Sequence, residues 1–140
     1  MAHFLKVYLL LIPVLFAIDF LWLGVLMPNF YKTELGPLAR TVDGALTPVR
    51  WAAIMVYLLI PLGIVLFALP HVSTDKMMSS ALLWGFLYGI VLYGVYDMTN
   101  YSLVKGWPLR MAVVDIVWGG VLCAAGTVIA AILDRRLFPV

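Results

Sequence analysis

The sequence has 140 residues, of which 65% are hydrophobic and 11% are charged, and its formal net charge is +2. A soluble fold of this length has too small an interior for so much apolar surface, so the expected solvent is a lipid bilayer. The length allows a single domain, and the small net charge excludes a nucleic-acid-binding surface.

Four stretches of the chain are long and apolar enough to cross a membrane. A hydrocarbon core about 30 Å thick needs about 20 helical residues. Four segments meet this requirement: 4–27, 51–69, 77–97 and 111–133. They predict an all-α integral membrane protein, with residues 1–140 forming one transmembrane domain of four helices in an up-and-down bundle.

The segments that connect the spans are polar or rich in turn-forming residues. The first connection is the longest, and a short interfacial helix is predicted around residues 31–40. Lysines and arginines divide almost evenly between the two sides, so the sequence does not fix the orientation. Aromatic residues near the span ends are predicted to form an interfacial belt: Tyr31, Trp51, Trp107 and Phe138.

Three aspartates lie within or at the end of predicted spans. An ionised side chain at membrane depth costs at least about 2.5 kcal/mol, so each should face the bundle interior. Asp19 in the first span, Asp97 at the end of the third and Asp115 early in the fourth all fall in the same half of the membrane. Asp19 is predicted to be the deepest and Asp97 to lie near the interface.

Two of these aspartates belong to a repeated pattern. Asp19 precedes Trp22 by three residues, and Asp115 precedes Trp118 by three, so each pair shares one helix face. If the two antiparallel helices pack together, Asp19 lies level with Trp118 and Trp22 with Asp115. Each indole N–H could then donate to the opposite carboxylate or share a ligand with it, as at the repeat interfaces of transporters.

The third span ends in a polar cluster. Tyr93 lies four residues before Asp97 and therefore on the same helix face. Together with Tyr96 and Asn100, these residues predict a polar mouth to the bundle.

Small residues predict a close contact between the third and fourth spans. Gly85 and Gly89 are four residues apart in the third span, and Gly120 and Ala124 are four apart in the fourth. Such spacing lets helix backbones approach one another in a membrane.

Several familiar chemistries find no support. His3 and His71 belong to the membrane side opposite the aspartates, which disfavours a metal site or a haem held by histidines. The sequence contains no recognisable Ser-His-Asp set, phosphate-binding glycine loop or Cys-x-x-Cys pair. No metal is predicted, no cofactor is indicated, and enzyme activity is left undecided.

The motifs together resemble a known family. They are Asp19-x-x-Trp22-Leu-Gly24, Phe30-Tyr31, Leu35-Gly36, the segment 57–67, the run from Tyr93 to Asn100, Trp107-Pro108 and Asp115-x-x-Trp118-Gly119. In these features the chain resembles the bacterial four-span membrane family catalogued as domain of unknown function 2177. The resemblance implies a small multi-pass protein of a bacterial inner membrane, and it implies no particular activity.

Two functions and one structural role are weighed. The first is binding or proton-coupled transport of a small, cationic solute, in a dimer, at an acidic and aromatic site. Its candidate residues are Asp19, Trp22, Tyr93, Tyr96, Asp97, Asn100, Asp115 and Trp118. The second is a membrane enzyme, or an accessory to one, that acts on a lipid or quinone-like molecule. In the structural role, the aspartates only bond neighbouring helices or pair with Arg50 and Arg110.

Overall fold

The computed structural model describes residues 2–137. Phe138, predicted to join the interfacial belt, lies outside these residues. The elements in chain order are α1 (Ala2–Phe20), α2 (Pro28–Leu35), β1 (Thr41–Val42), β2 (Ala45–Leu46), α3 (Arg50–Gly63), α4 (Met77–Leu103) and α5 (Leu109–Leu137). Wider π-helical turns extend α1 over Leu21–Leu26 and α3 over Ile64–Ala68, and short 3-10 turns follow at Gly36–Leu38 and Leu69–His71.

Four continuous helical stretches are long and apolar enough to span a bilayer: His3–Leu26, Arg50–His71, Met77–Leu103 and Leu109–Leu137. The predicted all-α, four-span architecture is therefore confirmed. The predicted end of the third span at Asp97 is wrong, because α4 continues to Leu103. A carboxylate does not interrupt backbone hydrogen bonding, and this one faces inward, so the helix ends only where Val104 adopts an extended backbone.

The first connection is more structured than predicted. Its helix begins at Pro28 rather than Tyr31, because proline suits the first helical position, where no N–H is needed. It ends at Leu35, since Gly36 takes a positive φ of 50°. The prediction of a helix as far as residue 40 is wrong, because β1 and β2 then form a small hairpin, turned by Asp43 and Gly44 at positive φ.

The contact between α4 and α5 is the closest between any two spans. A side chain at Gly89 would place its Cβ 2.0 Å from the carbonyl oxygen of Gly119, and one at Gly85 would meet the carbonyl oxygen of Cys123 at 2.5 Å. The predicted packing through small residues is confirmed. It brings the two antiparallel backbones together with no space for a side chain between them.

The other two spans pack against this pair. Leu11 and Leu15 of α1 are buried with Ile64 after α3 and Leu122 of α5 in one apolar core. The π-helical turn at Ile64–Ala68 follows Pro61, which lacks an N–H and so disturbs the regular bonding of α3. The other π-helical turn begins two residues after Asp19 and carries Trp22. Single π turns are frequent at functional sites.

Candidate functional site

Asp19 is buried in the bundle and has two hydrogen-bond donors. Its residue exposure is 4%, and it faces α3 and α5. The indole Nε1 of Trp118 donates to Oδ1 at 2.8 Å, and the hydroxyl of Tyr57 donates to Oδ2 at 2.8 Å. Each carboxylate oxygen therefore has one neutral donor from a different helix, so Asp19 connects three of the four spans.

Asp115 is reached through a relay. The indole Nε1 of Trp22 donates to the Tyr31 hydroxyl at 3.0 Å, and that hydroxyl donates to Oδ1 of Asp115 at 2.7 Å. The prediction that Trp118 reaches Asp19 is confirmed. The matching prediction of a direct bond from Trp22 to Asp115 is wrong, because α2 inserts Tyr31 between them.

The two tryptophans of the repeated pattern are stacked on each other. The ring centroids of Trp22 and Trp118 are 4.3 Å apart and their planes differ by 6°. Each indole thus packs its face against the other while its N–H points into the polar network. The stack holds the two halves of the repeat together and separates the aspartates from the lipid-facing groove beside α5.

Asp97 is fully buried, as expected of an aspartate that faces the bundle interior. Its exposure is 0%, and α4 continues six residues beyond it to Leu103. Its carboxyl group faces that of Asp115 within hydrogen-bonding reach, and the Trp107 indole lies beside it. Within the described residues, no N–H or O–H group donates a hydrogen bond to either oxygen of Asp97, and the buried Trp107 N–H has no acceptor.

The remaining predicted site residues lie in different places. Tyr93 packs its ring against Gly119 and is next to the aspartates without bonding to them. Tyr96 is 55% exposed and meets the edge of Trp107 on the outer side of α4. Asn100 lies nearer the end of α4, and in the described part of the chain its side chain makes no hydrogen bond to an aspartate. The structure therefore does not bring Tyr96 and Asn100 into the network.

Two tyrosines of the network were not among the predicted site residues. Tyr31 was assigned to the interfacial belt, but it is 7% exposed. Its position depends on α2 folding back over the bundle, which no periodicity in the sequence specifies. Tyr57 could have been predicted from the sequence, because a hydroxyl in the interior of an apolar span needs a hydrogen-bond partner.

The hydroxyl of Tyr31 is held as a neutral donor. Burial, and after it the negative charge of Asp115, raises the pKa of Tyr31 above its ordinary value of 10.0. The hydroxyl accepts from Trp22 while donating to Asp115, so both of its roles are occupied. Tyr31 is a fixed link between α2 and α5.

No arginine neutralises the aspartates in the part of the chain that is described. Arg110 instead pairs with Glu34 at 3.3 Å and lies over the ring of Phe30. The hypothesis that the aspartates pair with Arg50 and Arg110 is therefore wrong, because neither arginine forms an ion pair with an aspartate in the described structure. Over residues 2–137, no three His, Cys, Asp or Glu side chains gather to hold a metal ion.

These features define a class of protein: a small four-span membrane protein with two buried aspartates and one half-buried aspartate among tyrosine and tryptophan side chains. The chain belongs to the family described as Predicted membrane protein (DUF2177), whose model matches residues 4–132. The match covers all four spans and confirms the resemblance of the sequence motifs. No curated protein and no solved structure shows significant similarity to the chain.

Proposed function

We propose that the protein exchanges protons for a small cationic solute at the site formed by Asp19, Asp97 and Asp115. One observation carries the proposal: three carboxyl groups gather in one half of the bundle, with Asp19 and Asp97 buried and Asp115 half-buried. The described donors to Asp19 and Asp115 are neutral hydroxyl and indole groups. Buried charges without a counter-ion are costly. Protons or a bound cation are the species that would neutralise them.

The position of α2 supports a gated site. This helix covers the aspartates from the side of the first and third connections, and Tyr31 and the pair between Glu34 and Arg110 join it to α5. Its two ends, at Met27 and Gly36, depart from helical geometry. Movement of α2 about these ends would admit a solute from one side of the membrane. The proposal places the protein in a bacterial inner membrane, where a proton gradient is available.

A second candidate function follows from a groove on the lipid-facing surface. It is apolar and is lined by Trp22, Trp118 and four valines of α5: Val113, Val114, Val117 and Val121. A lipid or quinone-like molecule lying there would contact the indole rings whose N–H groups donate into the network. In this alternative, an aspartate would serve as acid or base toward a molecule held in the bilayer.

Proton flux in reconstituted vesicles tests the proposal. We expect an outward gradient of Na⁺, K⁺ or tetraethylammonium to drive proton uptake, reported by a pH-sensitive dye sealed inside the vesicles. Asp19→Asn and Asp115→Asn should abolish this flux. The matched control is Asp43→Asn, an exposed position in the hairpin turn where asparagine tolerates the positive φ.

The outcomes separate the two candidates. Flux that persists in Asp19→Asn and Asp115→Asn would contradict the site assignment. Wild-type protein that gives no flux with any of the three cations would contradict transport of small cations. A lipid or quinone identified by mass spectrometry of the gently extracted protein, and lost in Trp22→Ala, would then support the second function.

A further inference from the structure

Asp97 differs from the other two aspartates of the proposed site in having no hydrogen-bond partner of suitable geometry among the described residues. It is fully buried, it lies within a membrane-spanning helix, and in the described structure no N–H or O–H group donates to it. A buried carboxylate in that condition has lost its hydration without a compensating hydrogen bond, which is energetically unfavourable. The Trp107 indole N–H lies beside this carboxyl group but can satisfy only one of its two oxygens, so a further species is needed for the other.

The register of α4 against α5 places Asp97 and Asp115 together. Gly89 packs on Gly119, and the ring of Tyr93 lies over the same glycine. In α4, Asp97 follows Tyr93 by four residues, which is about one helical turn. In the antiparallel α5, Asp115 precedes Gly119 by four residues and so lies at the same level. The close approach that the glycines allow therefore sets the two carboxyl groups face to face, within hydrogen-bonding reach.

The two carboxyl groups have different partners. Asp115 accepts a 2.7 Å hydrogen bond from the Tyr31 hydroxyl, which favours its ionised form. Asp97 receives no hydrogen bond from an N–H or O–H group of the described residues. A carboxylic acid can itself donate through its O–H, and the nearest acceptor of suitable strength is a facing carboxylate.

We infer that Asp97 and Asp115 bind one proton between them, with Asp97 as the carboxylic acid whose O–H donates to the Asp115 carboxylate. The pair then carries one negative charge in place of two. Asp19 is different, since each of its oxygens already accepts a hydrogen bond from a neutral donor and it has no facing carboxyl group with which to share a proton. The inference deepens the proposed function, because it names where a resident proton is held before exchange.

Trp107 positions this pair on the side of the third connection. Its indole lies beside Asp97, and its buried N–H has no acceptor among the described residues. It follows Gly106, whose φ is 85°, in the turn between α4 and α5. The turn thus sets the indole beside the pair at the end of α4 that leads into α5.

Infrared spectroscopy of the protein in lipid nanodiscs tests the inference without any transport assay. At neutral pH the wild type should show the carbonyl stretch of a protonated carboxyl group, with a shift on exchange into D₂O. Asp97→Asn should abolish this band, and its amide N–H still donates to Asp115, so the fold is preserved. Asp19→Asn and the surface control Asp43→Asn should both keep the band.

Asp115→Asn tests the sharing itself. The O–H of Asp97 would then donate to an amide carbonyl, which is a weaker acceptor than a carboxylate, so the band should move to higher frequency. Absence of the band in wild type, or its survival in Asp97→Asn, would overturn the inference. The inference would also be overturned if Asp115→Asn left the frequency of the band unchanged. It would be overturned too if Asp19→Asn lost the band while Asp97→Asn kept it. If the wild type shows the band but no cation-driven proton flux, the shared proton is supported and only the proposed transport is rejected.

Discussion

The two ends of the α4–α5 contact are built from opposite kinds of residue. Toward the start of α4 the helices meet through Gly85 and Gly89, which lie against backbone atoms of α5. Toward its end the same two helices are held apart by the ring of Tyr93 and by the facing carboxyl groups of Asp97 and Asp115. We refer to these as the glycine end and the aspartate end.

The difference shows how a chain of this size keeps a polar site inside a membrane. In lipid there is little hydrophobic drive to hold helices together, so close van der Waals packing at the glycine end fixes the pair. The aspartate end can then carry polar groups, because its partners on α1, α2 and α3 meet it at a fixed distance. The glycine end supplies stability, and the aspartate end is free to serve function.

The largest effect is expected at the glycine end. Gly89→Leu should prevent α4 from docking on α5, because its Cβ would lie 2.0 Å from a backbone oxygen that cannot move away cheaply. Overpacking typically costs about 1–3 kcal/mol, and a clash with backbone costs more. We expect almost no monodisperse protein by fluorescence-detected size exclusion of a tagged chain.

Gly94→Leu is the matched control for that experiment. Nothing lies within 4 Å of a Cβ built at Gly94, on the same helix. A leucine there should give the wild-type elution profile and a small gain in thermal stability, since glycine in a helix costs about 1 kcal/mol relative to better helix formers. Equal losses in both variants would contradict the assignment of the glycine end as the helix contact.

A smaller loss of stability is expected from removing the carboxyl group of Asp19, the hydrogen-bond acceptor on α1 beside the aspartate end. Asp19→Ala leaves the Trp118 N–H and the Tyr57 hydroxyl buried without their acceptor, at a cost of about 1–3 kcal/mol each. Asp19→Asn should cost less, because its amide oxygen still accepts from Trp118 and the hydroxyl of Tyr57 can rotate to accept from the amide. Thermal unfolding in detergent measures both, and an equal midpoint for Asp19→Ala and wild type would show that these bonds do not stabilise the bundle.

The sequence predicted the parts of this comparison that depend on helical periodicity. The small residues of the glycine end and the bond from Trp118 to Asp19 both follow from spacings of three or four along antiparallel helices, once apolar length has placed the spans. The end of α4 was misplaced because apolar composition, and not helix geometry, set the predicted boundary at Asp97. A buried aspartate can extend a span when its partner is on a neighbouring helix.

Tyr31 could not be placed from the sequence for a different reason. Its role depends on the chain reversing at Met27 and carrying α2 back over the aspartate end. Nothing in the amphipathic pattern of an eight-residue helix distinguishes this position from one at the membrane surface. Long-range placement of short elements is set by tertiary contacts, and here those contacts are two hydrogen bonds through one hydroxyl.

Tyr31→Phe should loosen α2 without disturbing the glycine end. It removes the acceptor of the Trp22 N–H and the donor to Asp115, at a cost of about 1–3 kcal/mol. Hydrogen exchange followed by mass spectrometry should show faster exchange over residues 28–35 and unchanged exchange over 81–90. Tyr101→Phe, at an exposed position, should leave both segments unchanged. Unaltered exchange of α2 in Tyr31→Phe would mean that other contacts hold this helix.

The smallest expected effect is on the pH at which the hydroxyl of Tyr31 ionises. The folded protein raises the pKa of Tyr31 above 10.0, mainly by burial and next by the charge of Asp115. The stabilisation from its neutral form is therefore complete below the ordinary pKa and is lost only as pH rises through the higher folded value. The ultraviolet difference between wild type and Tyr31→Phe should stay flat through about pH 10, where free tyrosine ionises, and change only above it. A difference that develops at or below that pH would place the hydroxyl in water. A flat difference would mean that Tyr31 stays neutral and buried beyond the pH at which free tyrosine ionises, as its two hydrogen bonds require.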